Sequence, residues 1–134
     1  MASRTGGAHV SAERRSIDIE SFQHANPIPC ASRIGPMIAS SVITARFPNS
    51  DEIPDDTATQ VENLFHHIGE MLAAAGAGWE HVIKLEFSVP SLDDRAIING
   101  PYLERFPDPA SRPARHTSVG TPNAQCTFWA YVPD

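Results

Sequence analysis

A chain of 134 residues with 41% hydrophobic and 19% charged side chains is long enough to bury one continuous core, and too evenly balanced for a disordered or fibrous class. Sixteen acidic against ten basic residues give a net charge of −6, which excludes the dense cationic surface that a phosphate backbone rewards. No run approaches the roughly eighteen consecutive apolar residues of a membrane span, and the first residues lack the apolar segment of a secretory signal. A cytoplasmic protein with neither membrane nor nucleic-acid partners is therefore expected.

In chain order, residues 1–14 are small and polar around Gly6-Gly7 and read as a disordered tail, leaving 15–134 as a single domain. Ser16 to Glu20 alternates Ile17 and Ile19 with polar neighbours, the pattern of a short half-buried strand. Asn26-Pro27-Ile28-Pro29 enforces extended backbone up to Gly35-Pro36, after which Met37 to Thr44 is apolar and β-branched enough for a central strand. From Thr57 the period changes: Val61, Leu64, Phe65, Ile68, Met71, Leu72 and Ala75 mark one face of an amphipathic helix ended by Gly76. Thr57 and Gln60 have the spacing of a capping box, and Asp55 and Asp56 suit the positive helix end. Val82 to Val89 predicts a third strand, and Ser91 with Asp94 opens a second helix that Gly100-Pro101 interrupts. Residues 115–119 and 124–132 complete the order β-β-α-β-α-β-β, which predicts an α+β domain with two helices on one face of a mixed sheet. The strands carry more apolar groups than one face hides, so self-association is expected.

Few residues offer chemistry. His66 and His67 are adjacent and point about 100° apart on a helix, which does not make a metal pair, and no metal or cofactor is expected. Cys30 and Cys126 fit no metal or redox spacing and read as buried, reduced thiols. No nucleophile elbow or phosphate-binding glycine loop is present. Arg115 stands out because Pro113 stiffens its approach and a strand follows it. A guanidinium so held offers a planar fork for a carboxylate, or equally a surface salt bridge. His116 is adjacent, but successive strand residues face opposite ways.

Asn26-Pro27-Ile28-Pro29, the strand after Gly35 ending in Ser41, Ala73-Ala74-Ala75-Gly76, Val82-Ile83-Lys84, Asn99-Gly100-Pro101-Tyr102 and Arg112-Pro113-Ala114-Arg115 together resemble the Rid family of reactive intermediate deaminases, the YjgF-like proteins. The resemblance implies a chorismate-mutase-like unit that assembles as a homotrimeric barrel with clefts between subunits. It also implies a reaction in which the arginine of Pro-Ala-Arg, here Arg115, grips the carboxylate of an enamine or imine that water converts to a keto acid and ammonia. Asn99, Ser41, Thr117, Thr127 and Trp129 are implied as further substrate-binding positions, with Ile28 where active members often carry a tyrosine. Arg112 lies outside the matched position. The chain departs from the family on the last strand as well: active members carry a glutamate there, and no carboxylate lies between Gly120 and Val132. The expectation is a deaminase acting on a small carboxylated metabolite. The alternatives are a trimeric relative that binds without turnover, or an aminomuconate-type pathway deaminase.

Overall fold

The structure is a computed structural model that describes residues 13–133; most of the expected N-terminal tail lies outside the described residues. The strands are β1 (Arg15–Ile17), β2 (Ala31–Ile34), β3 (Met37–Ser40), β4 (Ile43–Thr44), β5 (Val82–Val89), β6 (Ala114–Val119) and β7 (Gln125–Tyr131), and the helices are α1 (Thr57–Ala74) and α2 (Arg95–Arg105). One mixed sheet runs β1-β2-β3-β7-β5-β6, with β4 paired to β7. Only β5 and β6 are parallel, a pairing that needs a crossover, and α2 supplies it.

Alternation along the strands divides the sheet. Leu85, Phe87 and Val89 of β5 and Cys126, Phe128 and Ala130 of β7 are buried beneath the helices with Val61, Leu64, Phe65, Ile68, Met71 and Leu72 of α1. Their neighbours Lys84, Glu86 and Ser88, and Thr127, Trp129 and Tyr131, face the other way, onto a side that no helix covers. Cys30 and Cys126 are free and buried, and burial pushes both thiols above their ordinary pKa. Among the described residues no helix is long and apolar enough to cross a membrane.

The N-terminal region is more strand-rich than the sequence pattern suggests. Ala31–Ile34 forms β2, and Gly35, at φ 54°, turns it into β3 through a two-residue loop with Ile34 opposite Met37. Arg33 is compatible with that strand because its guanidinium leaves the sheet, donating to Ala75 O at 2.6 Å at the negative end of α1 and to Gly35 O at 2.8 Å. The strand expected over 37–44 is interrupted at Ser41-Val42. There Ser40 Oγ accepts from Phe128 N (2.9 Å) in place of a ladder carbonyl, and Ser41 N donates to Cys30 O. The cap of α1 is Asp56, which accepts from Thr59 N at 2.8 Å, and not the Thr57–Gln60 box. Ser91 and Asp94 do form a box, Ser91 N donating to Asp94 Oδ2 at 3.0 Å, but it caps the short 3-10 turn Leu92–Asp94, and α2 starts after that turn without a side-chain cap.

Candidate functional site

The site grows from one face of α2 and its approach. Leu92, Arg95, Ala96, Asn99 and Tyr102 recur at three and four, so they share a face, and that face looks onto β6. Tyr102 OH donates to Pro113 O at 2.7 Å, pinning the proline-stiffened loop one residue before β6 begins. In β6, Arg115 lies opposite Leu85, which is fully buried, so its side chain emerges on the helix-bearing side. There Arg115 Nη2 donates to Asn99 Oδ1 at 2.8 Å, and the guanidinium carbon sits 4.9 Å from the centre of the Tyr102 ring.

These groups line a cavity of about 550 Å³ bounded by Leu92, Asp93, Arg95, Ala96, Asn99, Arg115 and Thr117. Burial, and to a lesser degree the charge of Arg95, hold the Arg115 pKa below its ordinary value, but an arginine remains cationic at any physiological pH. Because Arg115 is only a donor, the Asn99 amide oxygen must face it, which leaves the Asn99 NH₂ free to donate to a ligand. Two guanidinium groups, an amide donor and a hydroxyl around one cavity suit an anion with planar oxygens.

The expected positions fall into two groups. Arg115, Asn99 and Thr117 come together in this cavity. Thr127 and Trp129 lie on the uncovered side, where Thr127 Oγ1 donates to Glu86 Oε1 at 3.1 Å and Trp129 is 44% exposed. Ser41 Oγ donates to Pro29 O at 2.8 Å, and its neighbour Val42 lines a depression of about 200 Å³ with Glu86, Ser88, Ser118 and Thr127. Ile28 is exposed in the loop before β2. His116 lies opposite Glu86, on the side away from the Arg115 guanidinium, and its Nε2 is 3.5 Å from Ser118 Oγ. Sequence reasoning overlooked Arg95 and Glu86. The first carried a signal, standing four residues before Asn99 on a helix; the second depends on the pairing of β5 with β7, which no local pattern reveals.

Among the described residues no three His, Cys, Asp or Glu side chains are grouped to hold a metal ion.

Residues 19–124 match the family described as Endoribonuclease L-PSP. A RutC family protein of Synechocystis sp. is 36% identical over 56 residues, a stretch that spans 42% of this chain and 42% of that relative. Among solved structures, E. coli TdcF with bound serine superposes with a TM-score of 0.79 at 21% identity, covering 89% of this chain and 99% of that one. RidA from an Antarctic Psychrobacter superposes with a TM-score of 0.79 at 21% identity over 88% and 99% of the two chains.

Proposed function

The chain belongs to the Endoribonuclease L-PSP family, which is the Rid or YjgF-like family, and from that premise we propose that it is a homotrimeric deaminase hydrolysing a small enamine or imine carboxylic acid to a keto acid and ammonia. The observation that carries this reading is the Arg115–Asn99 pair in a cavity it shares with Arg95. One edge of the guanidinium is already satisfied by Asn99, so its orientation is set before a ligand arrives and its remaining N–H groups meet a carboxylate as a fork. Arg95 adds charge, and Thr117 offers a hydroxyl at the cavity wall. Anchored there by its carboxylate, an imino acid holds its C=N carbon a bond further out, where water attacks it. The relative solved with serine carries an α-amino carboxylate, which shares the carboxylate and the nitrogen on Cα with such an acid. Ser41, Ile28, Thr127 and Trp129 belong in this reading to the part of an intersubunit cleft contributed by an adjoining copy, and the protein works in the cytoplasm.

A net charge of −6 weighs against an RNA substrate despite the family's description. One feature favours a second reading, carboxylate capture without turnover: the last strand has no acid. Ammonia release from freshly generated 2-iminopropanoate or 2-aminoacrylate separates the two. A deaminase accelerates it well beyond the spontaneous rate, whereas a binding protein leaves it unchanged and shows only saturable uptake of the acid.

A further inference from the structure

Imine hydrolysis needs a group that takes a proton from water and returns it to nitrogen. The Arg115 cavity offers two guanidinium groups, an amide, a hydroxyl and a single carboxylate, that of Asp93, which is exposed on the turn before α2 and repels the carboxylate that Arg115 would hold. A better acid–base group lies one strand away. Glu86 stands on β5 between β7 and β6, and both of its carboxylate oxygens are engaged: Oε1 accepts from Thr127 Oγ1 at 3.1 Å, and Oε2 is 3.7 Å from Nζ of Lys84, the one lysine in the chain. It lines the depression of about 200 Å³ with Val42, Ser88, Ser118 and Thr127.

Within one chain Glu86 cannot reach the substrate, because it projects from the uncovered side of the sheet while Arg115 projects from the other. We propose that Glu86 of one copy is the acid–base residue of the cavity headed by Arg115 of a second copy. This inference rests on the deaminase reading above. The uncovered side supplies the reason for a second copy, since Met37, Trp129 and Tyr131 are exposed on it. A chain laid over that side brings its own edge strand β6, and Arg115 with it, to the rim where Glu86 stands.

The step balances without any further reagent. The Glu86 carboxylate takes a proton from water as the water oxygen bonds to the imine carbon, the C=N π pair moves to nitrogen, and the proton follows it to give a carbinolamine. The hydroxyl proton then passes through the same carboxylate to nitrogen, the oxygen lone pair forms C=O, the C–N bond breaks, and ammonia leaves with the keto acid and the carboxylate restored. Thr127 is a positioning residue, holding Oε1 so that Oε2, beyond hydrogen-bond distance of Lys84 at 3.7 Å, takes the proton from water.

The test begins with the full-length protein and freshly generated 2-iminopropanoate. Glu86→Gln keeps the shape and is expected to lower kcat by about 10²- to 10⁴-fold with KM and assembly unchanged, and to abolish the acid limb of the pH–rate profile. Glu86→Asp is expected to retain more of the rate than Glu86→Gln; equal losses would mark a packing role and overturn the assignment. So would a Glu86→Gln rate within about threefold of an active wild type, or a loss at Asp93→Asn alone, while leaving the deaminase reading intact. A wild type with no turnover overturns both. Mixing decides the shared site: Arg115→Ala and Glu86→Gln chains, each slowed about tenfold or more alone, are expected when co-assembled to restore about a quarter of the wild-type sites by random combination in a closed ring, and so a rate above that of either variant. No recovery from co-assembled chains would show that the two residues do not come from different copies.

Discussion

Arg115 is held on three sides, by Asn99, by the Tyr102 ring and by the loop that Tyr102 pins through Pro113. Removing it is therefore expected to cost little stability and much binding: loss of a charge-assisted fork is worth about 1.5–3 kcal/mol, so Arg115→Ala should weaken carboxylate binding or turnover roughly ten- to hundredfold. Arg115→Lys should recover only part, because the ammonium keeps the charge and loses the plane. Titration calorimetry with a stable keto acid reads the effect; equal affinity for Arg115→Ala and wild type would make the residue structural. Arg112 behaves differently. It donates to Phe106 O at 2.8 Å and to Pro107 O at 3.2 Å, so Arg112→Ala should loosen the loop and lower stability while sparing the ligand contact. A second residue-scale effect concerns pH. His67 is fully buried in α1, its Nε2 donates to Arg46 O at 2.7 Å, and burial, assisted by the charges of His66 and Arg46, holds its pKa below the ordinary value against the opposing pull of that hydrogen bond and of Glu70. The unfolded chain then binds the proton more readily, so the stability is present above the unfolded pKa near about 6.5 and lost as pH falls through the folded value. Denaturant midpoints should drop between about pH 7 and pH 5, and His67→Gln, which retains a donor for Arg46 O, should flatten that slope; an unchanged slope would exclude His67 as its source.

At the scale of elements, the start of α1 is tied to the turn between β6 and β7 by one side chain. Gln60 is 2% exposed; its Nε2 donates to Pro54 O at 2.8 Å and to Asn123 Oδ1 at 3.0 Å, and its Oε1 accepts from Ala124 N at 2.8 Å. Gln60→Leu fills similar space but leaves a buried amide and a carbonyl without partners, so unfolding free energy should fall by about 2–3 kcal/mol in urea titration. A loss below about 0.5 kcal/mol would mean that water takes over those partners. The same residue shows what a sequence can and cannot tell. Its spacing from Thr57 suggested a capping role, because local pattern registers only neighbours, whereas two of its three partners lie more than sixty positions away. The helical period of α1, the alternation of β5 and the box at Ser91 were legible, since each is decided within a dozen residues. β2 was not: Arg33 breaks its apolar pattern, and its strand geometry is decided by pairing with β1 and β3 and by the carbonyls at the end of α1. The candidate positions that the resemblance implied divide in the same way. Arg115, Asn99 and Thr117 are joined by one crossover, while Glu86 and Thr127 meet only through the order of strands.

At the scale of the whole molecule, the uncovered side of the sheet is divided in character. Across β2, β3 and β7, Ile34 pairs with Met37 and Met37 with Tyr131, and all three are exposed with Trp129 close by. Across β7, β5 and β6 the corresponding row is Thr127, Glu86 and His116. Apolar groups grouped on one face, beside polar groups able to complete a site, are the composition of an interface with a functional margin. If each chain lays this side against others of its kind, the apolar row becomes the assembly's core and the polar row borders the clefts. Wild-type protein is then expected as a homotrimer, with light scattering at micromolar concentration giving three times the 14.6 kDa of one chain. Met37→Asp puts a charge at the centre of the apolar row, where burial without a partner costs several kcal/mol, and should shift the mass towards a single chain while leaving the far-UV circular dichroism unchanged. Ammonia release should disappear with the trimer, although neither Arg115 nor Glu86 has been altered. A Met37→Asp trimer of full mass would move the interface elsewhere on the surface, and a wild type running at 14.6 kDa would remove both the trimer and the shared site that depends on it.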